Sequence, residues 1–485
     1  MAVKIILLIL FFGVMLGIGV YARKHATDVN GFVLGGRSVG PWLTAFAYGT
    51  SYFSAVVFVG YAGQFGYKYG LASTWIGIGN AVLGSLVAWV VLGRRTRIMS
   101  KHLGSMTMPD FFGKRYDSQS LRIAASVIAF IFLIPYTASV YNGLSYLFGM
   151  AFNVDFRICV VVMAVLTGVY VIIGGYMATA WNDLIQGIIM LFGIVAVIAA
   201  VLSGHGGFMA AVKELAQVPS SVMPGAYASF LGPDPANLFG VVILTSLGTW
   251  GLPQMIQKFY AIKDEKAVHT GTIISTLFAI VVSGGCYFLG GFSRISGVKE
   301  AVDGTVKYDT IIPTMLSSLP DILIGIVIVL VLSASMSTLS SLVLTSSSTL
   351  TLDFIKPLFV KKMNEKQQLV WMRVLLAGFI LISVVIALDP PAFIAQLMGI
   401  SWGALAGAFL APFLYGLYWK GVTRAAVWAS FICGVGITVA NMFFRFIASP
   451  INAGAIAMVA GLVIVPVVSL ISPKLKKETV EDVFH

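Results

Sequence analysis

The side chains best placed for chemistry lie in one apolar run, Asp321 to about Ser347. Its first half is almost pure hydrocarbon and its second half is studded with hydroxyls. Ala334, Ser337 and Thr338 stand at i, i+3 and i+4 and therefore share one face of a helix. That face offers two side-chain oxygens, and the Ala334 carbonyl as well if a hydroxyl or a bend frees it. Neutral oxygens at short spacing suit a hard monovalent cation and suit a proton poorly. The same small residues also let membrane helices approach closely, so helix packing explains them equally well at this point. Carboxylates are scarce in the apolar runs. Asp183 is the one placed close to the core, at a helix end on the basic side. An ionised carboxylate inside a bilayer costs about 2.5–3.5 kcal/mol on insertion scales. Coupling through a buried acid that takes a proton is therefore not expected.

The elements that hold these residues must be membrane helices. The chain has 485 residues, 58% hydrophobic and 10% charged, with mean hydropathy +0.94. No soluble domain of this size hides that much apolar surface. About thirteen apolar segments are expected, at 3–22, 41–66, 71–93, 121–150, 156–174, 181–203, 236–260, 268–292, 321–347, 369–388, 392–418, 423–446 and 453–472. The first lacks a basic leader and a small-residue cleavage site and reads as a mature helix. Cys159, Cys286 and Cys433 are far apart, and the five histidines fall in loops or at the C-terminus. Neither a metal site nor a disulfide framework follows. The spans contain no nucleophile–base pair, so an enzyme is not expected, and no organic cofactor is implied.

The net charge of +12 is a topology signal and not a nucleic-acid patch. Most of the 31 Lys and Arg fall in alternate loops: Arg23, Lys24 and Arg37, then 94–122, then Lys258, Lys263 and Lys266, then 356–373, then Lys420, Arg424 and the tail. The basic side faces the cytoplasm. The N-terminus is thus expected outside and the C-terminus inside a plasma (inner) membrane, with the lipid bilayer as surroundings, no nucleic-acid partner, and a monomer as the working unit.

Two segments carry helix breakers. The second contains Ala47-Tyr48-Gly49-Thr50-Ser51-Tyr52-Phe53-Ser54, and the seventh contains Gly248, Gly251 and Pro253. Carbonyls freed at membrane depth are tolerated only where protein encloses them. Each break opens a block of five helices, segments 2–6 and 7–11. Five being odd, the blocks run in opposite directions, the arithmetic of an inverted repeat with its site at the breaks. The expected organisation is 1–40 (first helix and cytoplasmic loop), 41–203 (first repeat), 204–235 (extracellular loop), 236–418 (second repeat) and 419–485 (last helices and tail).

Several stretches together resemble the sodium:solute symporter family, whose members include sodium/proline, sodium/pantothenate and monocarboxylate transporters. They are Leu34-Gly35-Gly36-Arg37-Ser38, Gly174-Gly175 before Trp181-Asn182-Asp183 and Gln186, Gly251-Leu252-Pro253 followed by Lys263-Asp264, and Ala334-x-x-Ser337-Thr338. The likeness covers nearly the whole chain. It implies an all-α, leucine-transporter-like core of two inverted five-helix repeats, with one helix before it and two after. It implies sodium as the coupling ion, held by the carbonyls of Thr50, Phe53 and Ala334 and the hydroxyls of Ser337 and Thr338. It implies a role for Asp183 in sodium release, although a carboxylate at a helix N-terminus also needs no function. It marks Arg37 as sensitive, although a basic anchor would look the same.

The implied activity is sodium-driven import of a small organic solute by alternating access. Candidate solute contacts are Ser51, Ser54, Tyr136, Thr245, Thr249, Trp250 and Gln396. Proline carriers of the family have an aspartate at the position of Tyr52, a tryptophan at that of Thr245 and a tyrosine at that of Thr249. A small carboxylate, pantothenate- or monocarboxylate-like, is therefore the first expectation, and proline or another amino acid the alternative. A proton-coupled carrier and an uncoupled channel or sensor are the remaining alternatives. No lysine or arginine is expected near the solute.

Overall fold

The computed structural model describes residues 2–152, 154–297, 306–389 and 393–484. The expected start of the eleventh segment, 392, lies outside them. Among the described residues every extended element is helical. We number the main helices α1 (Ala2–Ala22), α2 (Pro41–Tyr52), α3 (Ala62–Tyr69), α4 (Gln119–Phe152), α5 (Phe156–Gly204), α6 (Pro235–Leu247), α7 (Pro253–Ala261), α8 (Glu265–Gly290), α9 (Asp321–Thr349), α10 (Glu365–Leu388), α11 (Ile394–Tyr418), α12 (Arg424–Phe444) and α13 (Pro450–Ile471).

Among the described residues, ten helical runs are long and apolar enough to cross a bilayer, or eleven if the bent pair α6–α7 counts as one. Two of the ten, Val56–His102 and Phe156–Gly204, have 47 and 49 residues, far more than the roughly 20 a single crossing needs. Each is interrupted by a glycine with positive φ, Gly70 (φ 63°) and Gly175 (φ 55°). These breaks fall between the second and third, and the fifth and sixth, expected segments. The length criterion does not fix the expected count of thirteen.

Burial orders the bundle. The apolar windows of α9 and α11 are 78% and 89% buried, against 22% for α1. In α9 every residue from Leu330 to Thr349 is buried. Phe192, Phe443 and Ile471 stand outward with more than 70% of their surface exposed, as side chains facing lipid would. The hydroxyl-bearing half of α9 therefore lies in the interior of the bundle, enclosed by protein and away from lipid.

Close backbone contact fixes the helices around it. A Cβ added to Gly290 on α8 would lie 2.1 Å from the Ala62 carbonyl oxygen, and one added to Gly66 on α3 would lie 2.0 Å from the Gly290 oxygen. Backbone, unlike a side-chain tip, cannot swing away. Gly290→Val is expected to cost at least about 3 kcal/mol, and to show as loss of monodisperse protein on size-exclusion chromatography.

A second prediction concerns Asp309, in the connection between α8 and α9. Its carboxylate is buried and accepts the Ile394 N–H at the start of α11 at 3.2 Å. Burial pushes its pKa up to about 6, against the pull of that hydrogen bond. The folded chain then binds more protons than the unfolded one between the ordinary carboxylate value near 4 and that raised value. Stability contributed here is present at low pH and is lost as pH rises through about 6. The melting temperature should fall across that window in the parent protein and lose that slope in Asp309→Asn.

Candidate functional site

Helix α2 begins with Pro41 at its first turn and ends at Tyr52, where Phe53 (φ −103°, ψ 77°) leaves the helix. Ser54 restarts the chain: its hydroxyl accepts the Val56 N–H at 3.2 Å, and its carbonyl accepts Val57 and Phe58 at 3.0 and 3.1 Å. The carbonyls in the last turn of α2 consequently lose helical donors and form the negative end of its dipole. That end abuts the hydroxyl face of α9. Ser337 Oγ lies 3.1 Å from Thr50 O, and Thr338 Oγ1 lies 3.3 Å from Thr50 O and 3.4 Å from Ser51 O. The same two hydroxyls lie 3.2 and 3.1 Å from Ala334 O. Four of the five expected ion ligands, Thr50, Ala334, Ser337 and Thr338, are thus brought together and buried. The Phe53 carbonyl takes part in none of these contacts, and its ring stacks on Tyr52 at 4.2 Å. Ser51 O lies among them as well.

Uncharged oxygens alone can replace the hydration shell of a monovalent cation, whereas a divalent one calls for carboxylates. Among the described residues no group of three or more His, Cys, Asp or Glu could hold a metal ion.

A second polar cluster adjoins the first. The Ser51 and Ser341 hydroxyls are 2.8 Å apart, and Lys258 Nζ donates to Ser341 Oγ at 2.9 Å. The ammonium lies 3.9 Å from Asp183 Oδ2 and 5.2 Å from the Tyr176 ring centroid. Two sequence expectations change here. The sequence groups Lys258 with the loop cations, but it lies inside α7 and is 1% exposed, next to Ser51. The sequence sets Asp183 at a helix end, but it lies within α5, beyond the Gly175 break, and is fully buried. Arg37 stands apart from both clusters. Its guanidinium reaches Ser100 Oγ (3.4 Å), the Ser105 carbonyl and Tyr260 O (3.5 Å), tying the turn before α2 to the end of α7.

The expected solute contacts separate into three groups. Ser54 and Tyr136 lie together with Trp402 of α11, whose ring meets that of Tyr136 edge-on at 5.8 Å. The Tyr136 hydroxyl and the Trp402 indole N–H are buried and make no hydrogen bond. Thr245, Thr249 and Trp250 are already satisfied: Thr245 Oγ1 donates to Val241 O (2.9 Å), Thr249 Oγ1 to Gly84 O (3.2 Å) and Trp250 Nε1 to Leu83 O (3.0 Å). Thr249 and Trp250 seat the broken α6–α7 helix on the 80–93 stretch, while the Thr245 hydroxyl is satisfied within α6. Gln396 lies elsewhere, at the start of α11, lining a cavity of about 670 Å³ with Gln64, Lys68, Asp234 and Arg294.

The break in α6–α7 is built as the sequence suggests. A 3-10 turn at Gly248–Trp250 leads to an extended Leu252, Pro253 opens α7, and the two parts bend by 42°. Gly248 is needed because a Cβ there would sit 2.5 Å from the Trp402 ring. Sequence reasoning missed Lys258, Ser341 and Trp402. Lys258 was detectable, since it falls within the expected segment 236–260; Trp402 gives no local signal.

The model of the sodium:solute symporter family matches residues 32–434. The osmoregulated proline transporter OpuE of Bacillus subtilis (strain 168) is 28% identical over 475 residues, covering 96% of this chain and 95% of that protein. The sodium/proline symporter of Staphylococcus aureus (strain JH9) is 28% identical over 486 residues, covering 98% and 93%. Among solved structures, the substrate-bound, outward-open Na+-coupled sialic acid symporter aligns with TM-score 0.78 at 16% identity over 98% of this chain and 99% of that one. The nucleobase-cation-symport-1 family transporter MHP1, in a closed conformation, aligns with TM-score 0.57 at 14% identity over 93% and 98%. These two likenesses give the fold, that of leucine-transporter-like symporters.

Proposed function

The chain belongs to the sodium:solute symporter family, and from that premise we propose that it imports a small amino acid, proline first among them, together with sodium by alternating access. The observation that carries the sodium part is the oxygen cluster of Thr50, Ser51, Ala334, Ser337 and Thr338 at the break of α2. Sodium there bridges α2 and α9 and holds them together. Solute then binds beside Tyr136, Ser54 and Trp402, at the junction of α4, the α2 break and α11. Opening toward the basic side separates α2 from α9 and releases the ion past Asp183. The basic side is the cytoplasmic one on this reading.

The amino-acid assignment replaces the small carboxylate as first choice because the relatives that match along nearly their full length carry proline in their names. A monocarboxylate or pantothenate is the second reading. It is favoured by Tyr52, which stands where the family's proline carriers have an aspartate and brings no negative charge to meet an amino group; its hydroxyl donates to the Thr245 carbonyl at 2.6 Å.

Uptake by proteoliposomes of the full chain decides among these. Labelled proline, pantothenate and acetate are supplied in parallel, with an inward sodium gradient or with choline replacing sodium. Proline accumulation that needs the gradient supports the first reading, and pantothenate or acetate accumulation the second. Equal uptake with and without sodium would overturn both.

A further inference from the structure

We propose that the end of the bundle opposite the basic loops holds one anionic phospholipid, its phosphate between Arg294 and Lys68 and an acyl chain in the apolar slot between α4, α10, α11 and α12. The proposal does not depend on which solute or ion is carried.

Two cavities adjoin at the start of α11. The first, of about 670 Å³, is the one that Gln64, Lys68, Asp234, Arg294 and Gln396 line. The second, of about 620 Å³, shares Gln396, Ile447, Ala448 and Pro450 with the first as walls. Their linings differ in character. The second is mainly hydrocarbon, with Ile131 and Pro135 of α4, Ile386 of α10 and Ile400 of α11 along it. Pro135 has no N–H for the Ile131 carbonyl, so α4 is loosened where it walls the slot. Arg445, at the end of α12, and Pro450, at the start of α13, stand where the two cavities meet. Helix ends of this kind lie at the level of lipid headgroups.

The first cavity is built for an anion. Arg294 Nε donates to the Tyr67 carbonyl at 2.6 Å, and the guanidinium lies 3.9 Å from the ring centroids of both Tyr67 and Tyr227. Clasped in this way, it keeps two terminal nitrogens that bond to no described residue, a planar fork suited to phosphate. Lys68 adds a second cation, 5.0 Å over the Tyr308 ring. Asp234 is the one carboxylate among the described residues of either lining, and Asn237 already donates to it at 3.2 and 2.5 Å. Lys68, Arg294 and Arg445 therefore leave an excess of positive charge. Gln64 Oε1 and Asn452 Oδ1 are buried without a partner, acceptors for the hydroxyls of a glycerol headgroup. Cations and unpaired acceptors at the mouth of a hydrocarbon slot match an amphiphile, whose head they neutralise and whose tail the slot removes from water.

The test titrates purified, delipidated full-length protein in detergent with phosphatidylglycerol, with phosphatidylcholine of the same acyl chains, and with glycerol 3-phosphate. Native mass spectrometry counts bound molecules, and the melting temperature follows saturation. One phosphatidylglycerol per chain should bind and raise the melting temperature, phosphatidylcholine should bind at least about tenfold more weakly, and glycerol 3-phosphate should give no shift. Arg294→Gln and Lys68→Gln should each weaken phosphatidylglycerol by about tenfold or more. The Lys68 ammonium makes no hydrogen bond or ion pair to a described residue, so that variant should fold even if Arg294→Gln does not. Equal affinity for the two lipids overturns the proposal, and so does an unchanged affinity for phosphatidylglycerol in Lys68→Gln. A shift with glycerol 3-phosphate as large as with phosphatidylglycerol would mean a site for free phosphate, and it overturns the proposal as well.

Discussion

Replacing Ser337 by Ala and Thr338 by Val together is expected to raise the sodium concentration for half-maximal uptake by at least about 100-fold. Each hydroxyl that contacts a charged group contributes about 1.5–3 kcal/mol, and 1.4 kcal/mol is a factor of ten. Thr→Val conserves shape, and both positions are fully buried among small residues, so the bundle should survive. Ser335→Ala is the control. Its hydroxyl is equally buried on the same helix but donates to Val331 O at 2.7 Å, within α9 itself. Sodium dependence should be unchanged there. If the double variant keeps the parent's sodium dependence in both uptake and thermal stabilisation, the cage is not where the ion sits.

The expectation works because the hydroxyls of α9 and the carbonyls at the end of α2 face each other. Ser337 Oγ and Thr338 Oγ1 lie within 3.4 Å of the Thr50, Ser51 and Ala334 carbonyls, each with one proton to give, and Ser337 Oγ also lies 2.9 Å from Ser333 O of its own helix. On the sodium reading, a cation between them would meet the lone pairs of the same hydroxyls once these rotate about their Cβ–O bonds. Removing the hydroxyls would then take away ligands without loosening a fold that α11 and α4 also hold together.

How much of this is readable in the chain depends on how local each feature is. The hydroxyl face of α9 is a matter of i, i+3, i+4 spacing, and it survives intact in the structure. The α6–α7 break is announced by Gly248, Gly251 and Pro253, and it falls there. The break after Tyr52 has no proline. It is legible only in part: the helix ends at Tyr52, directly before the expected Phe53 ligand, and Ser51 O joins Thr50 O beside Thr338. Lys258 is misplaced by the sequence because a basic residue near a helix end usually faces water. Its burial depends on Asp183, Ser341 and Tyr176, which are 75 or more residues away in sequence and converge only in the fold. Asp353 is a similar case. The ninth segment is expected to end near 347, yet the helix continues through a π turn at Leu350–Ile355. That continuation buries Asp353 against Arg122 (2.8 Å) and Thr107 (2.5 Å). A carboxylate that reads as the start of a loop is part of the packed basic side.

Tyr136→Phe should change stability and solute affinity in opposite directions. The Tyr136 hydroxyl is buried close to the Ser54 and Trp402 side chains but makes no well-aligned hydrogen bond with either. A buried polar group left so costs about 1–3 kcal/mol, and deleting it relieves that cost at almost no change in packing. The variant should therefore melt higher than the parent without solute, by the equivalent of about 1 kcal/mol. If the hydroxyl is held for a solute, the same variant should bind that solute about tenfold or more weakly, with the solute-dependent rise in melting temperature reduced to match. The sodium response should stay where it was, since Ser337 and Thr338 are untouched. A tyrosine kept only for packing would show the gain in stability and no loss of affinity. A tyrosine whose hydroxyl supports the bundle through some other contact would lose stability. Only a hydroxyl reserved for a ligand gives the crossed pair of signs, and a small polar solute docking between α4, the α2 break and α11 is what such a reserved group would meet.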